Sequence, residues 1–332
     1  MNLTLEDKTI FITGGAGFIG SHLARVLARD NRVIIFDDLT TGSRSAVADL
    51  LQSARAQLVV GDIRQPADMH GLLDDVDIVF HLAVMNLRAC MTDPLRAESV
   101  NVRGTLNVAL EAQSAGIDRF IYVSSSDIYG DVDMYPTPET TMPRPTTIYG
   151  ATKLAGELMC ETLRRAQRFP ALIVRPFNTY GPGEHVAGDS GEVLPRFIRY
   201  ALAGRPLPIF GNGSQTRSFT HVNDTVRGLI AAAASGAMPD IPLNIASPHE
   251  VSILDAARAI LDALDNSGHP LEFLPARPGD SARQAADVFL TEKVIGFHAE
   301  TTLEQGLPSL ITYIKGLDIP IKQVPRLWPG AS

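Results

Sequence analysis

Cysteine is nearly missing from these 332 residues; there are two, Cys90 and Cys160. Two thiols make no disulfide framework, so a disulfide-stapled secreted scaffold is excluded and both read as buried thiols of a reducing cytoplasm. No apolar run reaches the roughly 18 residues that cross a bilayer, so no membrane helix is expected. The opening MNLTLEDKTIFITGG has no basic start, no long apolar stretch and no cleavage site, so it does not read as a signal peptide. Positive charge is in deficit, with a formal net charge of -8. That disfavours a generic nucleic-acid binder. It leaves room for an anionic ligand, because a few local arginines can bind a diphosphate on an acidic protein. No His, Cys or Asp cluster has metal-ligand spacing, so no metal is expected. Internal repeats and low-complexity segments are absent too.

What is present is apolar material, 45% of the residues, enough for one large core or two modest ones. In the first half, short apolar runs alternate with helical stretches. Strands are expected at Lys8–Thr13, Arg32–Phe36, Leu58–Val60, Ile78–His81, Phe120–Ser124 and Ala171–Arg175, with a helix over Ser21–Arg29. Such alternation predicts an α/β fold, a doubly wound parallel sheet covered by helices on both faces. After Ala171–Arg175 the texture changes. Asn178–Gly213 is rich in Gly and Pro around one helix near Val193–Ala203, Leu254–Leu264 is a helix, and the Pro-rich end from Pro320 is expected to wrap the surface. The division expected is a nucleotide-binding lobe of residues 1–176 plus 218–247 and a smaller α/β lobe of 177–217 plus 248–332. The cleft between the lobes is the default ligand site.

Thr13–Gly20 reads TGGAGFIG, between a strand and a helix. Gly14, Gly17 and Gly20 stand three apart, a GxxGxxG variant of the Rossmann dinucleotide fingerprint. The physical need is a tight turn, close backbone approach to a pyrophosphate, and a helix N-terminus facing the anion. The second strand runs into Asp37 and Asp38. An acid there accepts hydrogen bonds from the adenosine ribose and repels a 2′-phosphate, which favours NAD over NADP.

Tyr149 and Lys153 lie four apart in IYGATKLAGE, a spacing that puts both on one helix face. A tyrosine is a poor base at its ordinary pKa of about 10. A nearby ammonium and an oxidised nicotinamide favour the phenolate, which can remove a hydroxyl proton while hydride leaves the same carbon. Upstream, a strand ends in SSSDIYG, Ser124–Gly130, where a serine can hydrogen-bond the reacting oxygen.

With these pieces together, the chain resembles the extended short-chain dehydrogenase/reductase family, in its nucleotide-sugar epimerase and dehydratase branch, from Thr13 to about Asp287. The resemblance implies a Rossmann-like fold, NAD as cofactor and a nucleotide sugar, UDP-linked by preference, as substrate. TGGAGFIG resembles the family's cofactor loop, adding Phe18 and Ile19 to its glycines. GDIR at Gly61–Arg64 resembles its adenine-contacting turn and offers Asp62 and Ile63. HLA at His81–Ala83 resembles the segment lining the cofactor, with Leu82 and Ala83 in contact, and Asn101 in NVRGT fits the family's buried asparagine. Counting back from Tyr129, the resemblance makes Ser125 the family's catalytic hydroxyl residue, Tyr149 its base and Lys153 its lysine. RPFNTYGP at Arg175–Pro182 offers Asn178 to the substrate diphosphate. Arg217 in GNGSQTRSFTHVND and Arg277 in RPGD, with Asp280, fit its phosphate-binding loops. Guanidinium forks suit paired phosphate oxygens whatever the family.

The family's shared first step is oxidation at sugar C4. A 4-epimerase then turns the ketone over, a 4,6-dehydratase expels water from C6, and a uronate decarboxylase loses carbon dioxide. Family dehydratases and decarboxylases usually carry an acid, mostly Glu, two residues before the motif tyrosine. Here that residue is Asp127, while the neighbouring acid of some dehydratases is absent at Ser126, which remains a substrate-contact candidate. Asp127 also reads as a turn residue bonding its own backbone. Arg88, after the HLA strand, could meet a sugar carboxylate or be a solvated loop arginine. Many uronate-acting relatives have an arginine soon after YGP; Gly183, Glu184 and His185 stand here instead and argue against a uronate. The leading expectation is therefore a UDP-sugar 4-epimerase, with dehydratase or decarboxylase chemistry through Asp127 as the alternative and a non-catalytic cofactor sensor as a distant one. Relatives pair through two helices per subunit, at about Leu95–Ala112 and Tyr149–Arg165 here, so a homodimer is expected. Leu154, Leu158, Met159 and Leu163 form an apolar stripe on the second of them.

Overall fold

A computed structural model of the chain describes residues 4–186, 192–276 and 281–317. Its main sheet has seven parallel strands: β1 (Thr9–Thr13), β2 (Arg32–Asp37), β3 (Ala56–Val60), β4 (Ile78–His81), β5 (Arg119–Val123), β6 (Ala171–Pro176) and β7 (Leu243–Ile245). Their spatial order is β7-β6-β5-β4-β1-β2-β3. Ile10 pairs with Val33 on one side and Ile78 on the other. The inner strands are near-continuous apolar runs because helices cover both faces. Successive side chains serve opposite layers. Ile10 and Ile12 enter a core shared with the helices Phe18–Leu27 and Val222–Ala234, whereas Phe11 enters one shared with Thr105–Ala115 and Ile148–Gln167. The strand order reverses between β1 and β4, so the carboxyl ends of those strands, Thr13 and His81, frame the crevice where such sheets take ligands.

The first six strands fall where the apolar runs put them, within two residues at each end. The first helix begins at Phe18 rather than Ser21, directly on the glycine turn. The expected helix Leu95–Ala112 is helical throughout but not uniform: Pro94–Glu98 runs through a π-helical turn, Ser99–Gly104, into Thr105–Ala115. The π turn widens the helix at Asn101, a device common beside functional sites.

A second core gathers the later segments. Leu194, Phe197 and Ile198 of the helix Val193–Leu202 pack with Leu207 and Ile209, with Ile260 of Ile253–Ala263, and with Leu307 and Leu310 of Leu303–Lys315. Phe219, in the 218–247 stretch, packs into this second core. Ile295 and Phe297, in the 248–332 stretch, pack into the core of the large sheet. The surface wrap expected from Pro320 lies outside the described residues.

Candidate active site

A continuous cleft of about 800 Å³ runs from the glycine turn, past the ends of β1, β4 and β5, to the small lobe. Gly14 holds φ at +68°, and a Cβ there would lie 2.7 Å from the Ala83 nitrogen, so the turn admits only glycine. A Cβ on Gly17 would meet only the Gly14 carbonyl within 4 Å, which leaves the backbone open toward the cleft. No side chain caps the helix that starts at Phe18. Its first amides are therefore available to an anion, and the aligned peptide dipoles favour one.

Asp37 ends β2 almost buried. Its carboxylate accepts from the Ala16 amide at 3.0 Å and the Leu39 amide at 2.8 Å. Burial raises its pKa, and those two amides oppose the rise. Asp38 is exposed and accepts from the Thr40 amide at 2.9 Å. Asp62 also lines the cleft, with both carboxylate oxygens engaged by Arg64. The hydrogen bond from that guanidinium holds its pKa below the ordinary value.

Behind the wall lies a buried relay of polar groups. His81 Nδ1 is 2.7 Å from the Thr13 hydroxyl and Nε2 is 2.9 Å from that of Thr105. The Thr105 hydroxyl donates to the Asn101 carbonyl, so Nε2 carries the proton and Nδ1 accepts from Thr13. Burial, with Lys153 adding to it, pushes the imidazole pKa down to about 3, so His81 is neutral. Asn101 accepts from the Met85 amide at 2.7 Å and donates to the Thr152 hydroxyl at 3.0 Å. It thus ties the loop after β4 to the helix that carries Tyr149.

That helix, Ile148–Gln167, is capped by the Thr147 hydroxyl and carries Tyr149 and Lys153 one turn apart. Lys153 is buried with its ammonium over the Tyr122 ring, 4.4 Å from the centroid. Burial pushes its pKa down to about 8, against the charge of Glu157. Ser125 caps the short turn Ser126–Ile128 at the end of β5. Its hydroxyl accepts the Asp127 amide at 3.1 Å and donates to the Asp127 carboxylate at 2.9 Å. The Tyr149 phenol is raised well above its ordinary pKa, first by burial and then by the charge of Asp127, while a hydrogen bond with Ser125 acts the other way. Asp127 was expected either as chemistry or as a turn residue bonding its own backbone. Its carboxylate accepts the Ser125 hydroxyl within the same turn.

Every sequence candidate within the described residues lines this one cleft except Asn101, which stands behind its wall. Arg277 and Asp280 lie outside the described residues. Arg88 faces the cleft from the helix Leu87–Thr92, in electrostatic reach of Glu192 at the start of Val193–Leu202. Arg217 donates to the Thr216 and Ser281 carbonyls at 2.8 and 2.9 Å. Asn178 holds φ at +34°, a sparsely populated conformation of the kind found at functional sites.

The sequence reading singled out Asn178 but assigned no site role to Ser124, Gln215 or Glu184. The Ser124 hydroxyl, Asn178 Nδ2 and Gln215 Oε1 are buried polar atoms without a partner among the described residues, and all three residues line the cleft. The Gln215 amide is oriented by a 2.8 Å bond to the Phe210 carbonyl, which leaves Oε1 as an unanswered acceptor. Glu184 is buried and accepts the Gly181 amide at 3.4 Å, and burial drives its pKa far up. Only Asn178 had a signal in the sequence, through its motif. Among the described residues no three His, Cys, Asp or Glu side chains converge as a metal site, and no helix is long and apolar enough to cross a membrane.

The sequence profile of the NAD-dependent epimerase/dehydratase family matches residues 10–246. The chain belongs to that family. Among its family relatives, UDP-glucuronic acid decarboxylase 1 of Xenopus tropicalis is 33% identical over 317 residues, covering 93% of this chain and 73% of that protein. Solved family structures superpose closely. UDP-N-acetylglucosamine 4-epimerase from Methanobrevibacter ruminantium M1, in complex with UDP-N-acetylmuramic acid, has a TM-score of 0.89 at 28% identity, covering 94% of this chain and 99% of that one. The dTDP-glucose 4,6-dehydratase DesIV from Streptomyces venezuelae, with NAD bound, has a TM-score of 0.85 at 27% identity, covering 92% and 97%. An epimerase, a dehydratase and a decarboxylase thus stand at similar distances from this chain.

Proposed function

We propose that this protein is an NAD-dependent nucleotide-sugar 4-epimerase that works on a UDP-sugar through a transient 4-keto intermediate. The unhindered turn at Gly17, the uncapped helix at Phe18 and the acceptor at Asp37 fit a dinucleotide, with its pyrophosphate on the helix and its ribose on the carboxylate. NAD, when bound, supplies the reversible hydride acceptor. Leu82 and Ala83 line its path, and Lys153 holds the nicotinamide ribose from the helix that presents Tyr149. Asn178 and Arg217 bind the substrate diphosphate; the partnerless Nδ2 of Asn178 suits a phosphate oxygen. Arg277 is proposed to join them, with Asp280 and Ser126 as further substrate contacts. Tyr149 and Ser125 take and return the sugar hydroxyl proton.

The observation that carries epimerisation over elimination is the position of the Asp127 carboxylate. Its Oδ2 is taken up by the Ser125 hydroxyl of its own turn at 2.9 Å, as suits a carboxylate that an epimerase does not need as an acid or base. Arg88 in the cleft supports a second reading, uronate decarboxylation, but Glu192 beside it offsets its charge. Incubation with a panel of UDP-, dTDP- and GDP-sugars in deuterium oxide separates these readings. The expected product has unchanged mass, altered ring couplings and no solvent label at C5. Label at C5, or loss of water or carbon dioxide, overturns epimerisation.

The cytoplasm is the proposed compartment, in keeping with two buried and unbridged thiols. The proposed assembly is a homodimer through the helices Pro94–Ala115 and Ile148–Gln167. Leu163 of the expected stripe packs on its own sheet, while Leu158 is 54% and Leu95 84% exposed. Light scattering at micromolar concentration should give a dimer, and Leu95→Glu should shift it toward monomer. A monomeric wild-type protein would refute the assembly.

A further inference from the structure

His81 is fully buried at the end of β4, beside its register partner Thr13 of β1. Each ring nitrogen has a hydroxyl partner, and the directions follow from the ends of the chain. The Ala83 amide donates to the Thr13 hydroxyl at 3.2 Å, and Thr13 donates to Nδ1 at 2.7 Å. Nε2–H donates to the Thr105 hydroxyl at 2.9 Å, and Thr105 donates to the Asn101 carbonyl at 2.7 Å. This polarity needs a neutral ring, because the Nδ1–H of an imidazolium would meet the Thr13 proton. The Asn101 side chain carries the chain on. Its Oδ1 accepts the Met85 amide at 2.7 Å, and its Nδ2 donates to the Thr152 hydroxyl at 3.0 Å, which donates to the Tyr149 carbonyl at 2.9 Å. The cleft-lining residues Ala83 and Met85 and the first turn of the helix Ile148–Gln167 thus belong to one network. His81 joins its β1 side to Asn101.

The ring face makes a second tie. It stacks on Tyr122, with centroids 5.8 Å apart and planes 30° apart. Tyr122 carries the Lys153 ammonium at 4.4 Å from its ring centroid, and its hydroxyl donates to the Lys153 carbonyl at 3.1 Å. A cation in the place of His81 would repel that ammonium across a dry interior, whereas the neutral ring leaves it undisturbed.

We propose that His81 is a positioning residue that couples the cofactor-lining wall after β4 to the helix of Tyr149 and Lys153, and so fixes where the nicotinamide stands relative to both. It acts through Thr13 on Ala83, through Thr105 and Asn101 on Met85 and Thr152, and through Tyr122 on Lys153. It touches neither cofactor nor sugar. The inference rests on the proposed function for the placement of the nicotinamide beside Tyr149 and Lys153. The arrangement suits hydride transfer, whose rate is sensitive to the distance and angle between the reacting groups.

The test uses the full-length protein with NADH, ADP and the sugar panel. His81→Phe keeps an aromatic ring against Tyr122 and removes both ring bonds. ADP has no nicotinamide and should bind as it does to the wild type. Bound NADH should lose much of its fluorescence gain over free NADH, because its nicotinamide is no longer held. Single-turnover reduction of NAD should fall by on the order of 10–10²-fold, as for a small misplacement of reacting groups. Thr152→Val cuts the far end of the chain. Losses at independent sites multiply, whereas one chain cut twice loses little more than when cut once, so the double variant should match the slower single one. A merely structural role predicts that ADP and NADH weaken alike and that rate losses multiply; either result, or an unchanged NADH signal in His81→Phe, overturns the coupling. If His81→Phe does not fold, His81→Asn carries the same test, since its amide oxygen can take the place of Nδ1 while the Thr105 bond is lost. Nitrogen-15 NMR of the wild type should find the ring proton on Nε2 at neutral pH; a proton on Nδ1 reverses the chain and overturns its direction. If no sugar of the panel reduces NAD, the proposed function fails, while the comparison of NADH with ADP still judges His81.

Discussion

Tyr149→Phe should lose turnover on the order of 10²–10⁴-fold, the range for a positioned proton acceptor, with its unfolding transition unchanged. The ring of Tyr149 stays in place, since helix capping by Thr147 and the neighbouring Gly150 and Thr152 are untouched. What goes is the phenol oxygen of a residue that lines the cleft beside Ser125 and Lys153. Burial makes a free phenolate costly here, and ionised Asp127 adds to the cost. A tyrosine in that position can take the sugar hydroxyl proton and return it, and phenylalanine can do neither. The loss should appear in the reduction of bound NAD by sugar as well as in steady-state turnover, because both contain the same oxidation. Near-normal rates would remove Tyr149 from the reaction and, with it, the reading of this cleft as an epimerase site.

The local parts of this site are legible in the sequence because each is set by a short stretch of chain. The glycine turn, Asp37 at the end of the next strand, and Tyr149 and Lys153 one turn apart all depend on spacings within a single element and its loop. What pairs across distance is not legible. β7 is three residues long, too short to show a period, and becomes a strand only because β6 offers it an edge. The π turn at Asn101 leaves no trace in a pattern that reads as plain helix. Asp127 and Ser125 are two residues apart, yet their spacing does not reveal that the carboxylate accepts the serine hydrogen bond; hydroxyl rotors are settled by the finished network. Gln215 is one polar residue in a polar loop until the Phe210 carbonyl fixes its amide and leaves the other end unanswered.

The same long-range pairing sets the second large effect. Glu157→Ala should destabilise the protein by about 3–5 kcal/mol, the cost of leaving a buried charge without its partner. Glu157 and Arg175 form a two-bond pair at 2.9 and 2.7 Å, with both side chains about 95% removed from solvent (relative exposures of 5% and 4%). Arg175 also donates to the Tyr129 hydroxyl and the Glu139 carbonyl, but those are neutral acceptors. The Glu139 carboxylate is turned to the Asn244 amide and the Thr291 hydroxyl, so it does not replace the lost charge. Urea unfolding should show the midpoint falling with an unchanged slope, and a shift below about 1 kcal/mol would mean that the pair is not a net holding contact. The variant reaches the site as well. Glu157 raises the pKa of Lys153 against burial, which leaves it at about 8. Without Glu157 that value falls, so the ammonium is lost at lower pH. Activity that depends on a charged Lys153 declines as pH rises through its pKa. The alkaline limb of NAD reduction should therefore move toward neutral in whatever fraction of Glu157→Ala folds. A limb that stays in place would show that Lys153 does not need its charge, or that Glu157 does not supply it.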